Sequence, residues 1–233
     1  RRIDRLEVLA EKIRASGGEA LVAPADVGDP EQVHEATARA METYGRIDAL
    51  LAGAGYGFFS PALAASEPQH RRVFDVNYFG SVHAVASVVP AMQRAGGGHV
   101  LMISSIAGKS GLPYYAPYAA TKAAQSAWAR SLRLELAPSN IRVSVVYPIG
   151  TKSEFFEVAA ELSGGSEPLG NTPSFMMQST GRVARSIVRC LRRPRSEVWP
   201  SRIGHLIATA WTLSPWLYDK MMGRHAKSIR KQS

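Results

Sequence analysis

The sequence predicts an α/β fold, a doubly wound and mostly parallel sheet with helices on both faces. Short apolar runs alternate with amphipathic helical segments of about a dozen residues, the pattern of successive βαβ units. The apolar runs are rich in Val, Ile and Leu without strict alternation, as strands covered on both faces require. With 233 residues, 45% of them hydrophobic, the chain can bury one sizeable core and is marginal for two.

Each element follows from local chemistry. Ile3, Leu6, Leu9, Ala10 and Ile13 recur at helical spacing, and Gly17-Gly18 stop that helix. Residues 20–25 are an apolar run ending at Asp26, read as a strand. Asp29 as N-cap and Pro30 at the first helical position open a second helix, which runs to Tyr44-Gly45. Residues 47–52 form the next strand. A long helical stretch covers roughly residues 66–94, and Gly96-Gly97-Gly98 break it before a strand at 99–103. A helix over 117–137 and a strand over 141–147 continue the alternation. After Pro148 the pattern loosens into a long loop containing Gly164-Gly165-Ser166, of a length typical of lids and binding loops, and a helix over 180–191 follows.

Residues 1–200 are expected to form one domain and residues 201–233 a basic, Trp-containing helical extension. The apolar stretch 203–217 holds His205 and Pro215 and falls short of the roughly 20 residues that span a bilayer. Trp211, Trp216 and Leu217 are expected to pack on the domain. From Arg192 onward nine Lys/Arg face two acids, so most of the net charge of +9 sits there. A solvated end without a nucleic-acid partner is the default reading, and weak association with a membrane surface is an additional one. Cys190 is the single cysteine, which excludes an intrachain disulfide and fits a reducing, cytoplasmic setting. The six histidines show no metal-ligand spacing, and no metal is expected. No Gly-x-Ser-x-Gly elbow supports a hydrolase.

The chemistry concentrates between Asn77 and Lys122. The strand at 99–103 ends at Ser104-Ser105, and Tyr118 and Lys122 stand one helical turn apart on the next helix. Ligands of open α/β sheets bind outside the carboxyl ends of strands, where these serines fall. A carbonyl accepting hydride develops charge on oxygen and needs a proton donor and a second hydrogen bond. A free phenol, with a pKa near 10, is a reluctant acid/base, and an ammonium one turn away is expected to lower that value.

The segments FDVNYFG (74–80), ISSIAG (103–108), YAATK (118–122) and VSVVYP (143–148) resemble, in order and spacing, the short-chain dehydrogenase/reductase family. The resemblance implies a Rossmann-like fold and hydride transfer between a nicotinamide cofactor and a carbonyl or secondary alcohol. It implies Tyr118 as general acid/base, Ser105 as holder of the reacting oxygen, and Lys122 as partner of the phenol and of the nicotinamide ribose. Asn77 resembles the asparagine that interrupts its helix and holds a relay water. Asp26-Val27 resembles the acidic pair that meets adenine, and Arg1 falls where NADPH-preferring members carry an arginine. NADP(H) is therefore expected over NAD(H). Pairing through the two long helices, into a homodimer or homotetramer, is also implied.

Two departures bear on the cofactor. Ala52-Gly53-Ala54-Gly55 replaces the usual Asn-Asn-Ala-Gly, keeping backbone contacts while losing both amides. Pro148-Ile149 replaces Pro-Gly, with Gly150 displaced by one; Thr151 follows, and Ser153 stands for the threonine that meets the carboxamide. The first strand and the glycine-rich turn that seats the pyrophosphate are not found in this sequence, which reads as N-terminally incomplete. The 233 residues alone are therefore expected to hold a dinucleotide weakly. The substrate is expected over Leu112, Tyr115 and the segment 155–177, whose Phe155, Phe156, Phe175, Met176 and Met177 suggest an apolar wall. The alternative is a Rossmann-fold scaffold whose altered segments have abolished turnover.

Overall fold

A computed structural model describes residues 2–165 and 176–230. Arg1, Phe175 and most of the expected long loop lie outside the described residues. Helices α1 (Ile3–Ala15) and α2 (Pro30–Tyr44) precede strand β1 (Ala49–Ala52). Helix α3 (Glu67–Phe74) passes through a π-helical turn (Asp75–Phe79) into α4 (Gly80–Arg94). Then come β2 (Gly98–Ile103), α5 (Ala107–Ser110), α6 (Ala116–Glu135), β3 (Ile141–Val146), β4 (Gly150–Lys152) and α7 (Phe155–Leu162). The order closes with β5 (Met177–Ser179), α8 (Thr180–Arg192), β6 (Glu197–Val198), α9 (Arg202–Leu213) and α10 (Pro215–Arg230).

The main sheet has the order β1-β2-β3-β6, and every pair in it is parallel. Val100 and Met102 of β2, with Ile141, Val143 and Val145 of β3, face Val85, Val88 and Met92 of α4 and Ala129 and Leu132 of α6. Leu101 and Val146 point the other way, onto Cys190 of α8 and Val198. Consecutive strand residues thus meet helices on opposite faces, which is why the strands read as unbroken apolar runs. Helix α2 begins as expected: the Asp29 carboxylate accepts from the backbone N–H of Glu31 and Gln32, and Gly45 closes the helix in the left-handed region at φ 72°.

The expected strand at 20–25 does not form. A strand is stabilised by its ladder, and this run pairs with no described strand. Two of its carbonyls accept side-chain donors instead, Ala20 from Arg14 and Val22 from Arg39. The segment after Pro148, expected as loop, contains β4, α7 and β5, with β4 and β5 forming a small parallel sheet of their own.

The C-terminal extension is packed on the body. Trp199 is stacked between Tyr147 and His205, with ring centroids 4.7 Å away on each side. Trp211, buried as expected, donates to the Met221 sulfur and meets the Tyr218 ring edge-on. Trp216 is instead 68% exposed, with Lys220 over its ring.

Met92 is wholly buried between α4 and the sheet, whereas Leu134 is exposed near the end of α6. Met92→Ala should cost about 2–5 kcal/mol in urea unfolding, and Leu134→Ala less than about 0.5 kcal/mol.

Candidate active site

The end of β2 and the start of α6 meet at the site. β2 ends at Ser104-Ser105, and Ser104 N–H extends the ladder by donating to Val146 O. The buried Ser104 hydroxyl donates to Lys122 O and is 2.9 Å from Ser126 Oγ, which ties the end of β2 to α6. On α6, Tyr118 and Lys122 lie one turn apart. The Ser105 hydroxyl hydrogen-bonds the Tyr118 phenol. The Lys122 ammonium donates to Ile103 O at 2.7 Å and to Gln125 Oε1 at 2.9 Å, and sits 5.7 Å from the Tyr118 ring centroid.

Asn77 is buried in the π turn, the point at which the long helix expected at 66–94 is interrupted. Its side chain is fully engaged by protein: Oδ1 accepts from Tyr56 N–H, and Nδ2 donates to Tyr56 O and Thr121 Oγ1. It thereby clamps the segment after β1 against α6. Glycine keeps that segment close to its neighbours. A Cβ on Gly55 would stand 3.0 Å from Asn77 Oδ1 and 3.3 Å from Lys122 Nζ; one on Gly57 would stand 3.0 Å from Phe155 and 3.2 Å from Tyr118.

Burial dominates the electrostatics. Desolvation pushes the Tyr118 phenol up to about 12, only partly opposed by its hydrogen bond to Ser105. Desolvation also brings the Lys122 ammonium down to about 7. Burial therefore outweighs the lowering of the phenol expected from Lys122. Its ammonium is aimed at a carbonyl and an amide, and removal from water raises the cost of each charge separately.

The remaining expected residues lie apart from this cluster or at its edge. Ala52 is buried at the end of β1, with Gly53 and Ala54 exposed beyond it. Pro148 O accepts from Ile106 N–H; Gly150 and Thr151 lie in β4; the hydroxyls of Thr151 and Ser153 donate to Ile149 O and Thr151 O. Asp26 accepts from Gly28 N–H and pairs with Arg72 at 2.7 Å, while Val27 packs against Gly80 at the start of α4. Tyr115, expected to meet the substrate, is instead 1% exposed and lies edge-on to Phe59, and Leu112 is half-buried. Phe155 tilts against the Tyr118 ring at 5.2 Å between centroids. Sequence reasoning missed Gln125, whose signal is a polar residue one turn beyond Lys122 within a buried, Ala-rich helix face. Among the described residues no group of His, Cys, Asp and Glu could hold a metal ion, and no helix is long and apolar enough to cross a membrane.

Comparison with known proteins bears on this geometry. A profile of the short chain dehydrogenase family matches residues 1–162. The glycine betaine reductase ATRR of Emericella nidulans is 34% identical over 194 residues, covering 83% of this chain and 15% of that protein. The dehydrogenase/reductase SDR family protein 7-like of Drosophila melanogaster is 31% identical over 209 residues, covering 89% of this chain and 64% of that protein. The chain thus spans less than two thirds of either relative. Among solved structures, the alcohol dehydrogenase of Thermococcus sibiricus complexed with 5-hydroxy-NADP superposes with a TM-score of 0.72 at 27% identity, covering 85% of this chain and 82% of that one.

Lys122 generates a prediction about stability. Its ordinary value is 10.5 and its folded value about 7, so between these pH values the unfolded chain holds the extra proton and stability rises with pH. Denaturant titrations from about pH 7 to pH 10 should show the native chain gaining stability relative to Lys122→Met, with no such relative gain below about pH 7.

Proposed function

The chain belongs to the short-chain dehydrogenase/reductase family, and from that membership we propose that it moves a hydride between NADP(H) and a carbonyl or secondary alcohol, with Tyr118 as general acid/base. The observation that carries this reading is the convergence of Ser105, Tyr118 and Lys122 at the carboxyl end of β2. A scaffold that had lost turnover would have no need to bury an ammonium beside a phenol.

The residues present fit the nicotinamide end of the cofactor. Gly55 leaves a cradle that a side chain would fill, and Lys122, with two of its three N–H groups given to protein acceptors, keeps one for a ribose hydroxyl. Tyr118, Lys122, Pro148, Gly150, Thr151 and Ser153, with the backbone of residues 52–54, would hold that end, and Asp26 and Val27 would meet the adenine. When bound, the cofactor donates or accepts the hydride. Tyr118, protonated at neutral pH because burial holds its pKa near 12, is ready to give its proton to a carbonyl oxygen. Ser105 donates a hydrogen bond that steadies the reacting oxygen, and the Lys122 ammonium stabilises the phenolate left behind. Preference for NADP(H) rests on Arg1 and on the NADP derivative held by the Thermococcus sibiricus relative. Phe155, Phe156, Met176 and Met177 support an apolar substrate, and residues 1–200 are taken as the catalytic domain. The exposed Phe79, at the start of α4, supports pairing through the two long helices into a dimer or tetramer.

A second reading concerns residues 201–233, for which we propose weak association with an anionic membrane surface. Ile203, Leu206 and Leu213 line an exposed stripe of α9, and Trp216, Lys220, Arg224 and Lys227 share the outer face of α10. Two measurements check these readings. With full-length protein and a panel of ketones, Tyr118→Phe should lower NADPH oxidation by about two to four orders of magnitude with the fold retained; undiminished turnover would leave Tyr118 without its role. The same protein should sediment with vesicles containing anionic lipid but not with zwitterionic ones, and Leu213→Ser with Trp216→Ser should weaken that binding; equal sedimentation with both vesicle types would remove the second reading.

A further inference from the structure

Beyond the three groups already assigned, we propose that Gln125 is a positioning residue for the proton chemistry: its carboxamide holds the Lys122 ammonium charged and aimed beneath Tyr118. This rests on the reading of Tyr118 as general acid/base.

Gln125 is wholly buried, and both ends of its amide are engaged. Oε1 accepts from Lys122 Nζ at 2.9 Å, and Nε2 donates to the Ser81 hydroxyl at 2.7 Å, which donates in turn to Asn77 O. An ammonium has only hydrogens to offer, so the oxygen end of the amide must face it, and Ser81 fixes that orientation from the other side. The chain therefore links Lys122 on α6 to the start of α4 and to the π turn that carries Asn77. The groups beside Lys122 from β2 and the segment after β1, Ile103 O and Gly55, are neutral, and so are Ser81 and Asn77, which reach it through Gln125. From α6 itself come Gln125 and Tyr118, the latter being the titratable one. Out of water and among neutral groups, each acceptor on the ammonium weighs heavily on whether it stays charged.

The experiment is an NMR titration of the Lys122 side chain in the chain without cofactor, beside pH profiles of kcat for carbonyl reduction by full-length protein. Gln125→Met keeps the volume and removes the acceptor; it should lower the Lys122 midpoint by about one pH unit or more. The falling limb of kcat should move down with it, with KM for the ketone little changed. Gln125→Glu supplies a carboxylate and should move the midpoint up. Should either variant fail to fold, Ser81→Ala leaves Gln125 in place but unanchored and should lower the midpoint by a smaller amount. Unmoved midpoints in folded variants would reduce Gln125 to packing and overturn the inference. Active Tyr118→Phe would instead overturn the reading on which it rests, so the two failures are separable.

Discussion

The site is organised around one ammonium taken out of water. Lys122 is buried, and an isolated charge in that position would cost several kcal/mol. Two short hydrogen bonds, to Ile103 O and Gln125 Oε1, make the burial tolerable. Both acceptors are neutral, so the positive charge is neither cancelled nor fixed. Its balance with the neutral amine sits near pH 7, where small changes in its surroundings have the largest effect on its protonation. An ion pair with Asp or Glu would have been a safer way to bury lysine and a poorer way to use it.

Much of the fold is explained by the need to bring those acceptors to that point. Ile103 is the last residue of β2, and its carbonyl is taken by the Lys122 ammonium at that strand end. Ser104 then fastens this strand end to α6 through the Lys122 carbonyl and Ser126. The π turn carries Asn77 toward α6, where it grips both backbone groups of Tyr56. That grip holds Gly55 close to the ammonium, where a Cβ would stand 3.3 Å from Lys122 Nζ. The apolar interior on both sides of the sheet lies along the strand bodies, at a distance from these polar ends. Stability and chemistry thus draw on different segments of the same strands.

The order of strands and helices, the caps of α2 and the Ser105, Tyr118, Lys122 set were legible in the sequence because each is local: an apolar period, an N-cap aspartate, two residues one turn apart. What escaped was non-local. The run at 20–25 has strand composition, yet strand formation depends on a partner. The segment after Pro148 looked irregular because β4 and β5 are short and find each other across the intervening α7. Gln125 looked like any polar helix residue, since its neighbours Ser81 and Lys122 meet only once α4 and α6 are packed. The sign of the Tyr118 shift was misjudged for a related reason. A pair one turn apart suggests attraction between charges, whereas burial, invisible in spacing, is the larger cause.

A phenol held up near 12 and an ammonium held down near 7 are each pushed toward the neutral form by one cause, removal from water. Near neutral pH the phenol carries its proton, while the lysine is divided between its two forms. Giving up the phenol proton creates a negative charge in a site that resists isolated charges. The charged form of Lys122 answers that new charge, so phenolate and ammonium stabilise each other where neither is favoured alone. Burial that penalises each group in the resting chain therefore strengthens their attraction once the proton has left. The same removal from water accounts both for the reluctance of the resting pair to ionise and for the strength of its mutual attraction once the phenol proton has left.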